Sequence, residues 1–329
     1  MIQSNSDFCY CIDVPATSAN LGPGFDCFGL ALQLYNKFIF KVSDNYPGHV
    51  SLKANFPLNQ NIRNNLIYKA YAHTLDCIGY KNNFGININV ISDIPSARGL
   101  GSSATAVVAG VLAAGAVSGT NLRLSEAIEI ATEIEGHPDN VAPAILGGMT
   151  LSIQERTSVY SQKIEWPDDL AILVGIPEVK VRTQSARRVL PRHVSFEDAV
   201  FNLRRASLLI SSLVKRDWRG LSIAMHDSLH QDARSSLIPG LNKVLNACRE
   251  AGAIGAVLSG SGPCILSVMP AFHQNTIHAV AEAIERTWQQ YKVEVEVKQL
   301  AVQRMTTKVR AISLEEYNHL IDREWETDL

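Results

Sequence analysis

The sequence predicts an α+β protein of two domains, an N-terminal α/β domain with a glycine-rich phosphate loop and a C-terminal ferredoxin-like α/β sandwich. At 329 residues, with 46% hydrophobic and 19% charged, the chain is long enough for two domains. In the first half, a glycine-rich loop joins an alternating strand to an apolar helix. The second half runs strand, helices, two strands, helix and strand, an order typical of a split βαβ layer. We expect the division within Ser158–Asp169, with domains of residues 1–165 and 166–329.

The first predicted strand, Phe8–Val14, alternates apolar and polar residues and stops at Pro15. A loop dense in small residues follows over Ala16–Asp26, with Asn20 and Asp26 as its only strong polar side chains. Glycines on both sides of its proline indicate a backbone folded closely around a ligand, with a plain turn as the alternative. Further strands are predicted at Tyr35–Val42, His49–Ala54 and Phe84–Ile91, and helices at Asn65–Cys77, which stops near Gly79, and at Ala104–Val117.

The central loop leads from a strand into the apolar helix and consists of Pro95, Ser96, Ala97, Arg98, Gly99, Leu100, Gly101, Ser102, Ser103, Ala104 and Thr105. Unpaired backbone N–H groups and the positive end of a helix dipole at such a point suit phosphate. A Walker loop is excluded because the chain contains no Gly-Lys dipeptide. The dinucleotide fingerprint matches formally, but Asp93–Arg98 separate it from its strand, and Glu126 at the expected acidic position opens a helical pattern. We therefore expect a phosphate loop of a third design, with an ordinary strand-to-helix turn as the alternative.

Two acidic residues, Glu133 and Glu135, stand at the C-terminal end of the next predicted helix, Ser125–Ile134. Asp139 and Asn140 follow just beyond, after a glycine and a proline that break the helix. Carboxylates near a helix C-terminus are mildly unfavourable with the helix dipole. A bound cation explains the acidic pair better than stability does, and a solvated helix end is the alternative.

In the second domain a predicted strand, Leu170–Ile176, leads into a polar segment, Thr183–Pro191. Ser195 and Asp198 open a long amphipathic helix that runs toward Lys215. The remaining predicted elements are a helix from near Pro239 to before Gly252, two strands in Ala256–Val268 around a Gly-Ser-Gly-Pro turn, a helix over Phe272–Tyr291 and a strand over Val293–Val297. For the charged tail, Thr306–Leu329, we expect a peripheral helix without chemistry.

Composition and charge exclude several classes of protein. A net charge of −2 and a pI near 6.5 give no footprint for nucleic acid, so we expect no nucleic-acid partner. The apolar run Ala104–Val117 is too short to span a bilayer, so no membrane association is expected. The six cysteines form no CxxC pair and no secretory signal precedes them, which indicates reduced thiols in a cytoplasmic protein. His226 and His230 have a spacing that zinc ligands use, but without a third ligand a solvated helix face is the better interpretation.

Several motifs together resemble one family. The central loop is similar to the signature P-x-x-x-G-L-G-S-S-A of the GHMP kinases. The Pro15–Asp26 loop and the His137–Pro143 segment narrow the resemblance to the homoserine kinases. Further similar positions are Thr183, Arg187, Arg234 and the turn Leu258–Pro263. The resemblance extends from about residue 8 to about residue 300 and implies the two-domain GHMP kinase fold. Thr105 departs from it, because many members have alanine there.

The resemblance implies ATP-dependent phosphorylation of the side-chain hydroxyl of L-homoserine, giving O-phospho-L-homoserine on the route to threonine. Backbone N–H groups of Gly99–Ala104 would hold the ATP phosphates, with Asn65 and Leu66 near the adenine. Ser103 and the acidic pair, Glu135 rather than Glu133, would bind Mg²⁺. The loop has no Walker lysine, and a helix dipole worth roughly half a charge cannot offset a triphosphate alone. The metal is therefore expected to be essential.

The substrate is a small zwitterion, and the resemblance implies which side chains receive its groups. Its carboxylate would be bound by Arg187 and Arg234 with help from Thr183, its ammonium group by Asp26 and Asn20, and its reacting hydroxyl by Asn140. An amide cannot act as a general base at neutral pH. Either Asp139 takes the proton or the hydroxyl attacks without a dedicated base, and we prefer the second.

Two alternatives stay open at this point. A sister GHMP kinase for a mevalonate-like alcohol would act on a substrate without an ammonium group, so Asp26 would have no partner. A catalytically dead, ligand-binding relative would be expected to have a damaged glycine loop or to lack the acidic pair, and the sequence shows neither. The family also suggests a homodimer.

Overall fold

The structure is a computed structural model that describes residues 8–43, 48–56, 62–81 and 84–325. It contains two β-sheets with helices packed against them, which confirms the predicted α+β class. Within the described residues, no helix is both long enough and apolar enough to cross a membrane.

In the first half of the chain, the described residues form six strands and four α-helices. They are β1 (Phe8–Ala19), β2 (Phe28–Ser43), β3 (Val50–Ala54), α1 (Leu66–Cys77), β4 (Gly85–Ser92), α2 (Ser102–Ser118), α3 (Leu124–Glu135), α4 (Pro138–Leu146), β5 (Met149–Glu155) and β6 (Ser158–Ile164). The start of α1 is set locally, because the Asn65 side chain accepts the Ile67 N–H at 2.9 Å.

The second half contributes the remaining elements. They are β7 (Leu170–Pro177), α5 (Thr183–Arg188), α6 (Phe196–Lys215), α7 (Trp218–Ala224), α8 (Gln231–Arg234), α9 (Leu241–Glu250), β8 (Gly255–Leu258), β9 (Ile265–Pro270), α10 (Gln274–Gln290), β10 (Val295–Leu300), β11 (Val309–Ile312) and α11 (Leu314–Trp325). The predicted start of α6 is confirmed, because the Ser195 hydroxyl accepts the Asp198 N–H at 3.0 Å.

The first sheet has the strand order β11-β1-β2-β4-β3, and β5 and β6 extend it from β2. Strands β3 and β4 pair in parallel, and the other pairs are antiparallel. Helices α1 to α4 and one face of this sheet enclose an apolar core. Helix α2 lies among the other three, and its Ala, Val and Gly residues allow that close packing.

The second sheet has the order β10-β7-β9-β8 and is antiparallel throughout. If β7, β8, β9 and β10 are numbered 1 to 4, the order is 4-1-3-2, which is that of the predicted ferredoxin-like layer. Helices α9 and α10 cover one of its faces. The other face packs against α6, α7 and apolar residues of β2, so a single core cluster joins the two halves of the chain.

Two strand predictions were too short. Strand β1 continues through Pro15 to Ala19, and β2 begins at Phe28 instead of Tyr35. The register of β1 against β2 shifts between Pro15 and Ala16, and β11 pairs with β1 only at residues 9–12. A bulge beside an open strand edge accommodates a residue without an N–H, which explains why the proline does not end the strand.

Two further segments differ from the prediction. Asp139 and Asn140 were expected just beyond the end of a helix but lie in the first turn of a further helix, α4, with Pro138 at its start. The tail returns to the first sheet: β11 pairs with β1, and Tyr317 of α11 packs on Cys11 and its neighbours. The domain division at 165/166 therefore stays a prediction. At the end of the chain, β11 lies beyond that division but belongs to the first sheet.

Candidate active site

A cleft of about 270 Å³ lies where the start of α2 faces the second domain. The predicted site residues that line it are Asn20, Asp26, Ala97, Arg98, Gly99, Gly101, Ser102, Ser103, Glu135, Asp139, Asn140, Thr183, Arg187 and Arg234. Residues from five separate stretches of the sequence thus meet at one place, and only packing of the two sheets brings them there.

The backbone of the glycine-rich loop approaches its neighbours too closely for side chains. Gly101 precedes α2 with φ of 69°, and a Cβ there would lie 2.0 Å from Thr17 Oγ1. At Gly99, with φ of 80°, a Cβ would lie 2.3 Å from the carbonyl oxygen of Ser259. No side chain caps α2, so the N–H groups of its first turn are available to a ligand in the cleft.

Other residues of the predicted phosphate loop do not face the cleft. Leu100 and Ala104 are buried in apolar cores. The Thr105 hydroxyl donates to the Ser102 carbonyl and accepts from Asn36, both at 2.8 Å, so both of its contacts are within the protein. Pro95 and Ser96 are also absent from the lining. These residues shape the loop.

Arg98 lines the cleft, but its guanidinium is turned toward the second domain. It donates to Glu178 Oε2 at 2.9 Å and to the carbonyl oxygen of Val179, just after β7. The Arg98 side chain is 5% exposed, whereas Glu178 is largely exposed. The contact therefore attaches the phosphate loop to the second sheet, and only the Arg98 backbone remains for a nucleotide.

The two acidic residues at the end of α3 point in different directions. The Ser103 hydroxyl donates to Glu135, whereas Glu133 faces outward and pairs with His73 Nε2 at 3.4 Å. Burial raises the pKa of Glu135, and the Ser103 hydrogen bond only partly opposes it. A half-buried carboxylate beside a hydroxyl is a hard oxygen donor set that fits Mg²⁺. Glu135, as expected, is the member of the pair that faces the cleft.

Asp139 and Asn140 belong to one hydrogen-bonded chain that the sequence did not reveal. Thr17 Oγ1 donates to Asn140 Oδ1 at 2.8 Å, Asn140 Nδ2 donates to Asp139 Oδ1 at 3.1 Å, and His137 Nδ1 contacts the same Asp139 oxygen. Burial lowers the pKa of His137, but the hydrogen bond and charge of Asp139 outweigh it, so the net shift is upward. Asp139 is 2% exposed. Its carboxylate orients its two neighbours.

Asp26 and Arg187 form a bidentate ion pair at the other end of the cleft. Arg187 donates to the two carboxylate oxygens of Asp26 at 3.0 and 2.8 Å, and both side chains keep about a third of their surface exposed. Asp26 has a left-handed backbone, with φ of 56°, and its N–H donates to Asn20 Oδ1 at 3.0 Å. The paired groups stay accessible from the cleft.

Arg234 is a buried cation behind this pair. Its Nη1 donates to the Gly260 carbonyl at 2.9 Å and to His230 Nδ1 at 3.2 Å, and its Nε donates to the Ala186 carbonyl at 3.3 Å. Burial and the charge of Arg187 lower the pKa of Arg234 to about 10, so it remains protonated at neutral pH.

Two predicted substrate residues have contacts that the sequence did not suggest. Asn20 is 2% exposed, and its Nδ2 donates to the Gly260 carbonyl at 3.0 Å while its Oδ1 accepts from Asp26. Asn20 therefore holds the first loop against the Gly-Ser-Gly-Pro turn and orients Asp26. Thr183 lies exposed at the start of α5, with Oγ1 3.5 Å from the hydroxyl of Ser261.

Asn65 and Leu66 do not line the cleft, although both lie in the described part of the chain. Asn65 caps α1 and Leu66 packs against the first core. His226 and His230 do not share a helix, because α7 ends at Ala224 and α8 begins at Gln231. The predicted solvated helix face is therefore wrong, and His230 is 1% exposed. His230 contacts the Gly22 carbonyl through Nε2 at 2.8 Å and Arg234 through Nδ1, so its ring nitrogens are engaged.

Several lining residues were not predicted from the sequence: His137, Arg182, Gly260 and Ser261, together with Thr17 just behind the lining. His137 stood inside a motif that had been singled out, so the motif was the available signal. Thr17 lies in the segment that was predicted as a loop, and in that segment only Asn20 and Asp26 were predicted to contact the substrate. Its contact with Asn140 spans 123 residues of sequence, and no local pattern indicates it.

Comparison with known sequences agrees with this geometry. Residues 65–148 match the family model described as GHMP kinases N terminal domain, and residues 209–290 match the GHMP kinases C terminal model. The first match contains the glycine-rich loop and the Glu135–Asn140 segment, and the second contains Arg234 and the Gly-Ser-Gly-Pro turn. The fold is thus that of the GHMP kinase class.

Individual relatives define the family more narrowly. The chain is 40% identical over 287 residues to a homoserine kinase of Halothermothrix orenii, covering 86% of this chain and 91% of the relative. It is 40% identical over 302 residues to a homoserine kinase of Thermosynechococcus vestitus, covering 91% and 98%. The crystal structure of homoserine kinase from Cytophaga hutchinsonii superposes with a TM-score of 0.84 at 28% identity, covering 94% of this chain and 99% of that one. The chain belongs to the homoserine kinase family.

Proposed function

We propose that the protein transfers the γ-phosphate of ATP to the side-chain hydroxyl of L-homoserine, giving O-phospho-L-homoserine, in the cytoplasmic synthesis of threonine. The observation that carries this proposal is that one cleft combines an open helix start with the Asp26–Arg187 pair. The first suits phosphate, and the second offers one charge of each sign to a small zwitterion. The names of the relatives support the same activity.

Asp26 would bind the α-ammonium group of homoserine, and Arg187 would bind its carboxylate. These two side chains satisfy each other, so binding would exchange one ion pair for two and would need little desolvation of a lone charge. Arg234 supplies a second, permanently charged guanidinium whose Nε and Nη1 are engaged by the protein. We assign its Nη2 group to the substrate carboxylate. Mevalonate has no ammonium group, so the Asp26–Arg187 pair favours homoserine over that alternative.

The phosphates of ATP would lie against the N–H groups at the start of α2, with the adenine near Asn65 and Leu66. Ser103 and Glu135 would hold Mg²⁺, which would offset charge on the transferring phosphoryl group. The raised pKa of Glu135 supports this assignment, since a half-buried carboxylate that accepts from a hydroxyl is stabilised when a cation binds. Because the loop carries no lysine, we expect no turnover in the absence of a divalent metal.

Asn140 would position the reacting hydroxyl, and no side chain would act as a dedicated base. Asp139 is the alternative base, but its Oδ1 already accepts from Asn140 and contacts His137. Proton transfer would then follow phosphoryl transfer, in keeping with the loose transition state of such reactions.

An ADP-release assay tests the proposal. The protein, with MgATP, is offered L-homoserine, mevalonate, shikimate or L-threonine in parallel. We expect turnover with homoserine far above that with the other three, and loss of turnover when the metal is chelated. Absence of turnover with millimolar homoserine would refute the proposal. Light scattering on the same preparation tests the homodimer that the family suggests.

A further inference from the structure

A second group of ligand-type side chains lies outside the cleft, on the surface where α1 passes the end of α3. His73 and Cys77 are one turn apart on α1, and Glu133 reaches them from α3. His73 Nε2 lies 3.5 Å from Cys77 Sγ and 3.4 Å from Glu133 Oε2, and all three donor atoms lie within 4.8 Å of one another. None of the three residues lines the active-site cleft.

Two of the three spacings among these atoms are close to those of ligands on one tetrahedral ion, and the third, between Cys77 Sγ and the Glu133 carboxylate, is within 4.8 Å. With bonds of about 2.1 Å to nitrogen and oxygen and about 2.3 Å to sulfur, tetrahedral zinc holds its nitrogen and oxygen ligands about 3.4 Å apart, and nitrogen and sulfur about 3.6 Å apart. The observed separations are 3.4 and 3.5 Å. The Nε2–Oε2 and Nε2–Sγ distances would therefore change very little if an ion were bound.

The local structure explains why the three groups meet. Residues four apart on a helix lie on the same face, so His73 and Cys77 project together from α1. Both sit in the last two turns of α1, and Glu133 lies in the last turn of α3. Each side chain is at least partly exposed, so an ion can reach the site from solvent.

We propose that His73, Cys77 and Glu133 bind a zinc-class divalent cation, with solvent in the fourth position. Imidazole, thiolate and carboxylate together favour zinc over the oxygen-seeking Mg²⁺ of the reaction. The site is distinct from the one assigned to Mg²⁺, because Glu133 points away from Ser103 whereas Glu135 contacts it. A bound ion would tie α1 to the turn of α3 that carries Glu135.

Metal titration of the chelator-treated full chain tests the site directly. Cobalt is the probe, because a thiolate ligand gives it an intense charge-transfer absorption that oxygen and nitrogen ligands do not. We expect one equivalent to produce this band in the wild type and Cys77→Ser to abolish it. His73→Ala and Glu133→Gln should each weaken zinc binding by at least about tenfold. His278→Ala is the matched control: His278 also pairs with an i+4 carboxylate, Glu282, at 3.1 Å, but has no thiol beside it.

Cysteine alkylation provides a second readout that does not depend on activity. Cys77 is the exposed cysteine, whereas the other five are buried or half-buried. Zinc should slow its alkylation, measured by mass spectrometry, by at least about tenfold in the wild type and should have little effect in His73→Ala. An alkylation rate that zinc does not change, or a cobalt band that survives Cys77→Ser, would overturn the proposal.

Discussion

Thr17 provides a direct test of how the cleft positions Asn140. It lies fully buried in β1, and its hydroxyl donates to Asn140 Oδ1 at 2.8 Å. That bond sets the orientation of the amide, whose Nδ2 donates to Asp139 at 3.1 Å. The substitution Thr17→Val keeps the branched shape and removes this donor. The amide should then lose its fixed orientation beside the reacting hydroxyl.

The size of the effect follows from the strength of the lost bond. A neutral hydrogen bond contributes about 0.5–1.5 kcal/mol net, and roughly 1.4 kcal/mol in an activation barrier is a tenfold change in rate. We therefore expect kcat to fall about two- to tenfold. The free energy of unfolding should fall by a similar amount, because Asn140 borders the cleft and its oxygen can accept from water instead. The KM for ATP should not change, since the Thr17 N–H still donates to the Leu100 carbonyl.

Steady-state ADP release and thermal unfolding measure the two effects separately. Thr150→Val is the matched control, because Thr150 is also fully buried but its hydroxyl has no hydrogen-bond partner in the described structure. The control variant should keep the wild-type kcat, and its free energy of unfolding should equal or exceed that of the wild type. If Thr17→Val lost stability but kept the wild-type kcat, Asn140 would not be positioned by Thr17, and its place beside the hydroxyl would be wrong.

Three other substitutions, the first with a matched control, test other parts of the cleft. Gly99→Ala should lower the melting temperature and weaken ATP binding, because its Cβ would meet the Ser259 carbonyl at 2.3 Å. Gly119→Ala, at the other end of the same helix with φ of 67° and open space around it, should cost only about 1 kcal/mol; equal effects on ATP would contradict the loop assignment. Asp139→Asn should keep kcat within about tenfold, and a loss of roughly a hundredfold or more in a folded variant would identify Asp139 as the base. Arg234→Ala should weaken homoserine binding about ten- to a hundredfold, and a collapse of ATP affinity instead would show that the cleft is divided differently.

Much of the cleft could be predicted because its parts are carried by short motifs. The loop Pro95–Thr105, the end of α3 and the residues Arg187 and Arg234 were each singled out on local pattern or resemblance, and most of them line one cavity. The pattern could not show which atoms face that cavity. The Arg98 side chain points to Glu178 because the second sheet packs beside the loop. The Thr105 hydroxyl is held within the protein because Asn36 of β2 donates to it.

The choice between Glu133 and Glu135 shows the same limit. The two residues are two positions apart on a helix, so they must point in different directions. Only the placement of α1 and α2 around α3 decides which one meets Ser103 and which one meets His73. The tail is a second case: its strand pairs with β1, almost 300 residues earlier, and no local property of the tail indicates that partner.

By itself the sequence predicted most of the helices and strands, the starts of α1 and α6, and the loop proposed to bind phosphate. These properties depend on side-chain periodicity, on caps within three residues and on glycine backbone freedom, all of which act over a few residues. Tertiary structure alone decided that Asp26 pairs with Arg187, that Thr17 orients Asn140, and that His73 and Cys77 meet Glu133. Those contacts join residues far apart in the chain, and they exist only because two sheets and their helices pack into one set of cores.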